Sequence, residues 1–150
     1  MRYADVLSNL FDDLPVRLPA ERIDVLLSAP NVRIERIVST GHVTAPGEWL
    51  EQDTDEWVVV LRGRARLRIE REATPLDLQP GHHILISAHV RHRVEWTDDV
   101  GPTVWLAVHY RGGDHAPGRI SRALLDNTPA PGEKSPAPSD RKALKFGGHV

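Results

Sequence analysis

Along this chain, apolar residues alternate with polar ones more often than they recur at helical spacing. Val32 to Ser39 alternates, with Val32, Ile34 and Arg36 on one side, and valine and isoleucine dominate it, which predicts a strand. Trp57 to Leu61 is an unbroken β-branched and aromatic run, the pattern of a buried strand. Gly63 turns that run, and Ala65 to Glu70 follows as its expected hairpin partner. Leu76–Leu78, Ile84–Ser87, Val90–Thr97 and Thr103–Tyr110 read as four further strands. Thr40 to Gly47, Pro75, Pro80, Gly81 and the stretch Asp98 to Pro102 supply the loops and corners between them. Many short strands with glycine and proline corners predict an all-β domain, an antiparallel barrel or sandwich.

The two ends differ from this body. Val6, Leu7, Leu10, Phe11 and Leu14 fall at spacings of three and four, so residues 1–14 are expected as a short amphipathic helix or an edge-packing segment. Pro15 and Pro19 bracket an extended piece. Glu21 to Leu27 is ambiguous, with Ile23, Leu26 and Leu27 on one helical face and Pro30 ending the run. Residues 1–30 are therefore expected as an N-terminal arm packing on a barrel that spans 31–125. Ile120 to Leu125 has room for a short helical stretch. From Asp126 onward Pro129, Pro131, Pro136 and Pro138 accumulate with few core-forming residues, which predicts a disordered tail over 126–150. Lys134, Lys142 and Lys145, all three lysines of the chain, lie in that tail.

Composition narrows the class without changing the picture. A chain of 150 residues with 27% charged and 40% apolar positions suits one globular domain. Its net charge of −2 provides no field toward nucleic acid or acidic lipid. The absence of cysteine removes disulfides and thiolate ligands and suits a reducing cytosol. The first residues carry acids where a signal peptide needs an apolar centre, and no apolar run reaches the length of a membrane span. The expectation is a soluble cytoplasmic protein with neither nucleic acid nor membrane as partner. Arg62, Arg64, Arg66 and Arg68 alternate with Gly63, Ala65, Leu67 and Ile69, which puts the guanidinium groups on one face of a strand. A phosphate-docking stripe is one reading, and a solvated face balanced by neighbouring acids is the favoured one.

Two segments carry the chemistry. The first, Gly47 to Gly63, reads G-E-W-L-E-Q-D-T-D-E-W-V-V-V-L-R-G, and the second, Pro80 to Trp96, reads P-G-H-H-I-L-I-S-A-H-V-R-H-R-V-E-W. They resemble the two motifs of the cupin superfamily. Glu56 followed by six residues and Gly63 matches the second half of G-x5-H-x-H-x3-4-E-x6-G, while Gly81 and His92 match G-x5-P-x-G-x2-H-x3-N in register. Ser87, His89 and Trp96 replace that motif's proline, glycine and asparagine. The chain is most similar to small single-domain cupins whose first motif reads W-x-x-Q-x-x-x-E-W-V, here Trp49, Gln52, Glu56, Trp57 and Val58. The resemblance implies an antiparallel double-stranded β-helix, the jelly-roll barrel of that superfamily, and a homodimer by family habit.

In familiar members two histidines, a glutamate and a third histidine hold a divalent metal inside the barrel. Carried over by position, the first histidine is Leu50, the second is Gln52, the glutamate is Glu56 and the last histidine is His92. Gln52, Glu56 and His92 thus form the implied metal set, leaning to manganese, iron(II) or magnesium over copper, with nickel and zinc also possible. Asp53, Glu51, His42 and His109 are candidates for a fourth group. Without metal, Glu56 and His92 can still act together as a general acid–base pair, because a carboxylate fixes an imidazole's tautomer. The bland alternative is a satisfied core hydrogen bond. Trp96 lies four residues after His92, which on a regular strand places it with Val94 on the pocket wall beside Trp49 and His109. Core packing or a dimer contact is the expected use of Trp57, Trp105 and Trp49, and His82, His83 and His89 read as loop or turn residues. Three functions remain open: a small enzyme acting on a polar metabolite, a non-catalytic ligand-binding or sensor barrel, and a dimerisation module.

Overall fold

The computed structural model describes residues 1–112. The expected helical stretch at 120–125, the boundary near 126 and the tail beyond it lie outside the described residues. Eight strands form among them: β1 (Arg22–Ala29), β2 (Val32–Ser39), β3 (Asp55–Arg62), β4 (Ala65–Ile69), β5 (Leu76–Leu78), β6 (His83–Ile86), β7 (His92–Thr97) and β8 (Thr103–Tyr110). They build a five-stranded sheet in the order β1-β2-β8-β3-β6 and a three-stranded sheet in the order β5-β4-β7. All pairings are antiparallel. This is the jelly-roll, double-stranded β-helix arrangement, in which the chain passes repeatedly from one sheet to the other.

The inward faces meet in one core. Val58, Val60, Trp105 and Ala107 of the larger sheet pack with Ala65 and Leu67 of the smaller. Alternation along β3 explains this directly, because Glu56, Val58 and Val60 are buried while the residues between them are only half so. Residues paired across an antiparallel sheet share a face, so the row Arg33–His109–Glu56 runs across β2, β8 and β3 on the inner side. That row determines where polar chemistry can sit.

One sequence expectation is corrected and two open alternatives are resolved. Ala65–Ile69 is not the hairpin partner of the strand before it: β3 pairs with β6 and β8, whereas β4 pairs with β5 and β7. Gly63, at φ +76°, is instead the corner where the chain leaves one sheet for the other. The N-terminal helix shrinks to a single 3-10 turn at Tyr3–Asp5, with Val6 and Leu7 exposed. An isolated helix of so few residues cannot repay its nucleation cost without a packed face. The segment is held instead by Arg36, whose Nη1 donates to the carbonyls of Leu10 (3.0 Å) and Asp12 (2.9 Å). Finally, the ambiguous Glu21–Leu27 stretch is mostly strand, since β1 pairs with β2 from Arg22 to Ala29 across one irregularity between Val25 and Leu27.

The four arginines do not share one strand face, because Arg62 ends β3 in the larger sheet, and the remaining three are each paired with an acid. Arg64 meets Asp98 at 3.4 Å, Arg66 meets Asp77 at 2.6 Å and Arg68 meets Glu95 at 3.0 Å. The hydrogen bond from Arg66 holds the Asp77 carboxyl below its ordinary range. Among the described residues no helix is long and apolar enough to cross a membrane.

Candidate functional site

The two motif segments are joined by backbone before any side chain is considered. Leu50 N–H donates to the His92 carbonyl at 2.8 Å, and His92 N–H returns a bond to the Leu50 carbonyl at 3.0 Å. His89 N–H donates to the Gln52 carbonyl at 2.8 Å. The loop from 50 to 52 is thereby fixed against the entry to β7, and β3 begins three residues later with its inner-face Glu56.

Side chains from both segments then converge. Glu56 and His92 are buried, with 8% and 4% of their surface exposed. Gln52 Nε2 donates to Glu56 Oε2 at 2.6 Å, and that same oxygen lies 3.5 Å from His92 Nε2. His92 Nδ1 faces the Val90 carbonyl at 3.0 Å. A carbonyl only accepts, so Nδ1 carries a proton and Nε2 is the nitrogen turned toward Glu56. Glu56 and His92 line a cavity of about 80 Å³, walled by Ile37, Leu50, Val58 and Trp105 among others. That volume admits a few heavy atoms, and the apolar wall strengthens any charge interaction inside it.

The chemistry of these donors limits what a metal would find. An imidazole tied through Nδ1 to a carbonyl is oriented as metal-binding histidines are, and a buried carboxylate oxygen lies next to it. Leu50, at the remaining motif position, offers no donor. Gln52 presents its amide nitrogen to Glu56, so its carbonyl oxygen is available to a cation only if the amide turns over. Among the described residues no three His, Cys, Asp or Glu side chains converge. The set fits a loosely held divalent cation completed by water, and it does not fit a closed four-ligand centre.

The other expected site residues lie elsewhere. Trp96 is 41% exposed and lines an outer cleft of about 550 Å³ with Arg64 and Arg66, apart from Glu56 and His92. The cause is a register shift in the β4–β7 pairing: Leu67 faces Val94 and Arg66 faces Trp96, so Glu95 is an extra residue that reverses the alternation. Trp49 likewise is not among the residues lining the cavity, whereas its neighbour Leu50 is. The Trp49 ring instead receives the guanidinium groups of Arg91 at 5.5 Å and Arg93 at 5.9 Å. His109 is on the inner face beside Glu56 but its Nε2 is engaged by Glu35 Oε2 at 3.1 Å. Of the other candidates for a fourth ligand, Asp53 pairs with Arg111 at 2.6 Å, Glu51 lies 3.7 Å from His89, and His42 Nδ1 accepts from Thr40 N–H at 2.9 Å.

Two carboxylate systems, a buried one at Glu35 and an exposed one at Glu21, were not singled out from sequence. Glu35 is buried between His109 and Arg33, whose Nε lies 2.9 Å from its Oε1. Its signal was an acid on the face shared with Ile37 and Ser39 in an alternating strand. Glu21 lines the cavity and accepts from Ser39 Oγ at 2.5 Å, while Ser39 accepts from Trp105 Nε1 at 3.1 Å. A polar residue before an ambiguous segment carried no such signal.

Comparison with known proteins places this geometry. The family model described as a cupin domain matches residues 36–109, which includes every strand from β3 to β7. No curated protein matches the chain. A crystal structure from Ralstonia eutropha JMP134, provisionally assigned as a mannose-6-phosphate isomerase, is 44% identical with a TM-score of 0.69. That alignment covers 71% of this chain and 98% of the other. A cupin superfamily protein from Desulfitobacterium hafniense DCB-2 is 18% identical with a TM-score of 0.53, over 64% of this chain and 82% of that one. An RmlC-like cupin with a double-stranded β-helix fold from Methanocaldococcus jannaschii is 14% identical with a TM-score of 0.50, over 62% and 82%. The last two share the fold. With both motif segments closing on one buried acid–imidazole pair inside a jelly roll, the chain belongs to the cupin superfamily.

Proposed function

We propose that the barrel interior binds a small polar ligand through Glu56, His92 and Gln52, and that the same groups take up a divalent cation weakly. One observation carries this reading. His92 Nδ1 is committed to the Val90 carbonyl, so its Nε2 and Glu56 Oε2 face each other at 3.5 Å inside a cavity. Such a pair needs a proton, a cation or a donor from a ligand between its two atoms, because two lone pairs at that distance repel. A cation held there by Glu56 and His92, with the Gln52 carbonyl if its amide turns, would polarise a ligand oxygen. The chain's own groups orient the ligand by hydrogen bonds, surround it with the apolar wall of Ile37, Val58 and Trp105, and hold one proton between Glu56 and His92. The provisional assignment of the Ralstonia relative adds sugar phosphates to the ligands worth screening.

A second reading, a non-catalytic binding or sensor barrel, is favoured by Leu50 at the position of the first motif histidine. Thermal melting in Mn, Fe(II), Ni and Zn, and in a panel of small organic acids and sugar phosphates, tests the shared premise. A ligand at one hundred times its Kd stabilises the fold by about 2.7 kcal/mol. That stabilisation is expected in the native protein and absent in Glu56→Ala. Equal shifts in both proteins, or none in either, remove the pocket from consideration. A turnover assay on whichever ligand shifts the native protein separates enzyme from sensor.

Self-association is proposed from a different surface. β1 is an edge strand, and its Ile23, Val25, Leu26 and Leu27 are exposed. An exposed apolar edge is a template for strand pairing, and an antiparallel copy of the same edge is complementary to it. Sedimentation velocity on the full chain is expected to give twice the chain mass, reduced to the monomer by Val25→Lys. A monomer in the native protein refutes this.

A further inference from the structure

A second polar cleft adjoins the Glu56–His92 cavity. It is about 300 Å³, formed where the β1–β2 turn, the loop before β3 and the end of β8 come together, and Arg33, Gln52, Thr54, His109 and Arg111 are on its wall. The two cavities share no lining residue, but two residues of the cleft neighbour Glu56. Gln52 lines the cleft and donates to Glu56, and His109 lines it while sitting across the sheet from Glu56. Gln52 and His109 thus stand between the outer cleft and Glu56 of the inner cavity.

The outer compartment has a positioned anion binder. Arg33 contacts Glu35 through Nε at 2.9 Å, and its side chain is 52% exposed. Glu35 is itself buried and held from the other side by His109 Nε2 at 3.1 Å. A buried carboxylate that grips one edge of a guanidinium orients the fork and leaves the two Nη groups for a planar or tetrahedral oxyanion. The hydroxyl of Thr54 lines the same cleft, and the second cation, Arg111, is balanced by Asp53 at 2.6 Å. Among the described residues each of these two arginines meets one carboxylate, Arg33 through Nε and Arg111 through Nη2, so it is Arg33 that keeps its two-Nη edge clear of a carboxylate. Arg33 stands two strands from Glu56, across β8, so about two interstrand spacings of ~4.8 Å separate them.

We propose that Arg33 is the acid-binding residue of a ligand that spans both compartments: a small metabolite with a carboxylate or phosphate at one end and a polar group at the other. The oxyanion docks on the Arg33 fork in the outer cleft, and the chain of the ligand displaces the Gln52 amide to reach Glu56 and His92. The proposal rests on the inner-site reading for the ligand's far end, and the outer docking can be tested independently of it.

The test is an amide-resolved NMR titration of the full chain with inorganic phosphate and, separately, with succinate, each at constant ionic strength against sodium chloride. Saturable shifts at Asn31, Arg33, Thr54 and Arg111 are expected with at least one of the two anions, and which anion binds more tightly identifies the head group. Arg33→Gln is expected to weaken that binding at least tenfold. Arg33→Lys, which keeps the charge and loses the fork, is expected to fall between the two and provides the reading if the glutamine variant fails to fold. Inorganic phosphate is too short to reach Glu56 from the Arg33 fork, so its affinity is expected to stay within twofold in Glu56→Gln, and failure of the inner site leaves the phosphate result standing. Shifts no larger than those from sodium chloride, or equal affinity in Arg33→Gln, overturn the proposal.

Discussion

Gly63→Ala is expected to destabilise the protein by about 3 kcal/mol, the sum of a left-handed backbone penalty and local overpacking. Gly63 has φ +76°, a region that costs residues with a Cβ about 1–2 kcal/mol. A methyl group there would lie 2.6 Å from Thr103 Oγ1, 2.7 Å from Thr103 Cα and 3.0 Å from the Pro102 carbonyl oxygen. Two of those three atoms are backbone, which cannot swing aside as a flexible side chain can. Relief would have to displace the start of β8, where Thr103 is fully buried and its Oγ1 donates to the Arg64 carbonyl at 3.1 Å. The defect sits at the far end of β3 from Glu56, so the folded fraction should retain ligand-induced stabilisation. Urea denaturation reads the effect as a lower midpoint at unchanged slope. A midpoint equivalent to less than about 0.5 kcal/mol of loss would show that the corner adapts.

Trp105→Ala is expected to cost about 3–5 kcal/mol and to unmake the wall of the candidate site at the same time. The indole is 4% exposed, packed between Ile37 on β2 and Val60 on β3, and lines the cavity beside Glu56 and His92. Its Nε1 also donates to Ser39 Oγ at 3.1 Å, which in turn donates to Glu21. Trp105→Phe separates the two contributions, since it keeps most of the packing and removes the donor. It should cost little more than the cavity left by the missing ring plus about 1 kcal/mol for the hydrogen bond. Chemical denaturation of both variants checks the order. If alanine and phenylalanine cost the same, the packing argument fails.

How much of this was readable before folding differs by feature. Strand positions from β2 to β8 were legible because alternation and glycine or proline corners are local properties, and each strand carried enough of both. Glu56 and His92 were legible as a pair because they stand at matching positions of the two cupin motifs that the sequence resembles. Trp96 was misread for a reason of the opposite kind. Its side was inferred from His92 by counting in twos, and the extra residue at Glu95 is imposed by how β7 registers on β4. Gly63 was correctly read as a turn and wrongly as a hairpin, because a turn residue states that the chain bends and not which sheet receives it. Glu35 passed unnoticed since its meaning depends on His109, 74 positions away, which only the β2–β8 pairing brings to it.

By itself, then, the sequence determined the β-rich class and the approximate strand limits, consequences of side-chain period and backbone propensity over a few residues, while the acid and imidazole were identified by their resemblance to positions of the cupin motifs. Tertiary structure alone decided which sheet each strand joins, that Trp49 and Trp96 do not line the pocket, and that Arg33, Glu35 and His109 stand in a second cleft next to it. The physical reason is that register and burial are properties of paired strands: one added residue on either member exchanges inside for outside, and nothing within a single strand records what its partner does.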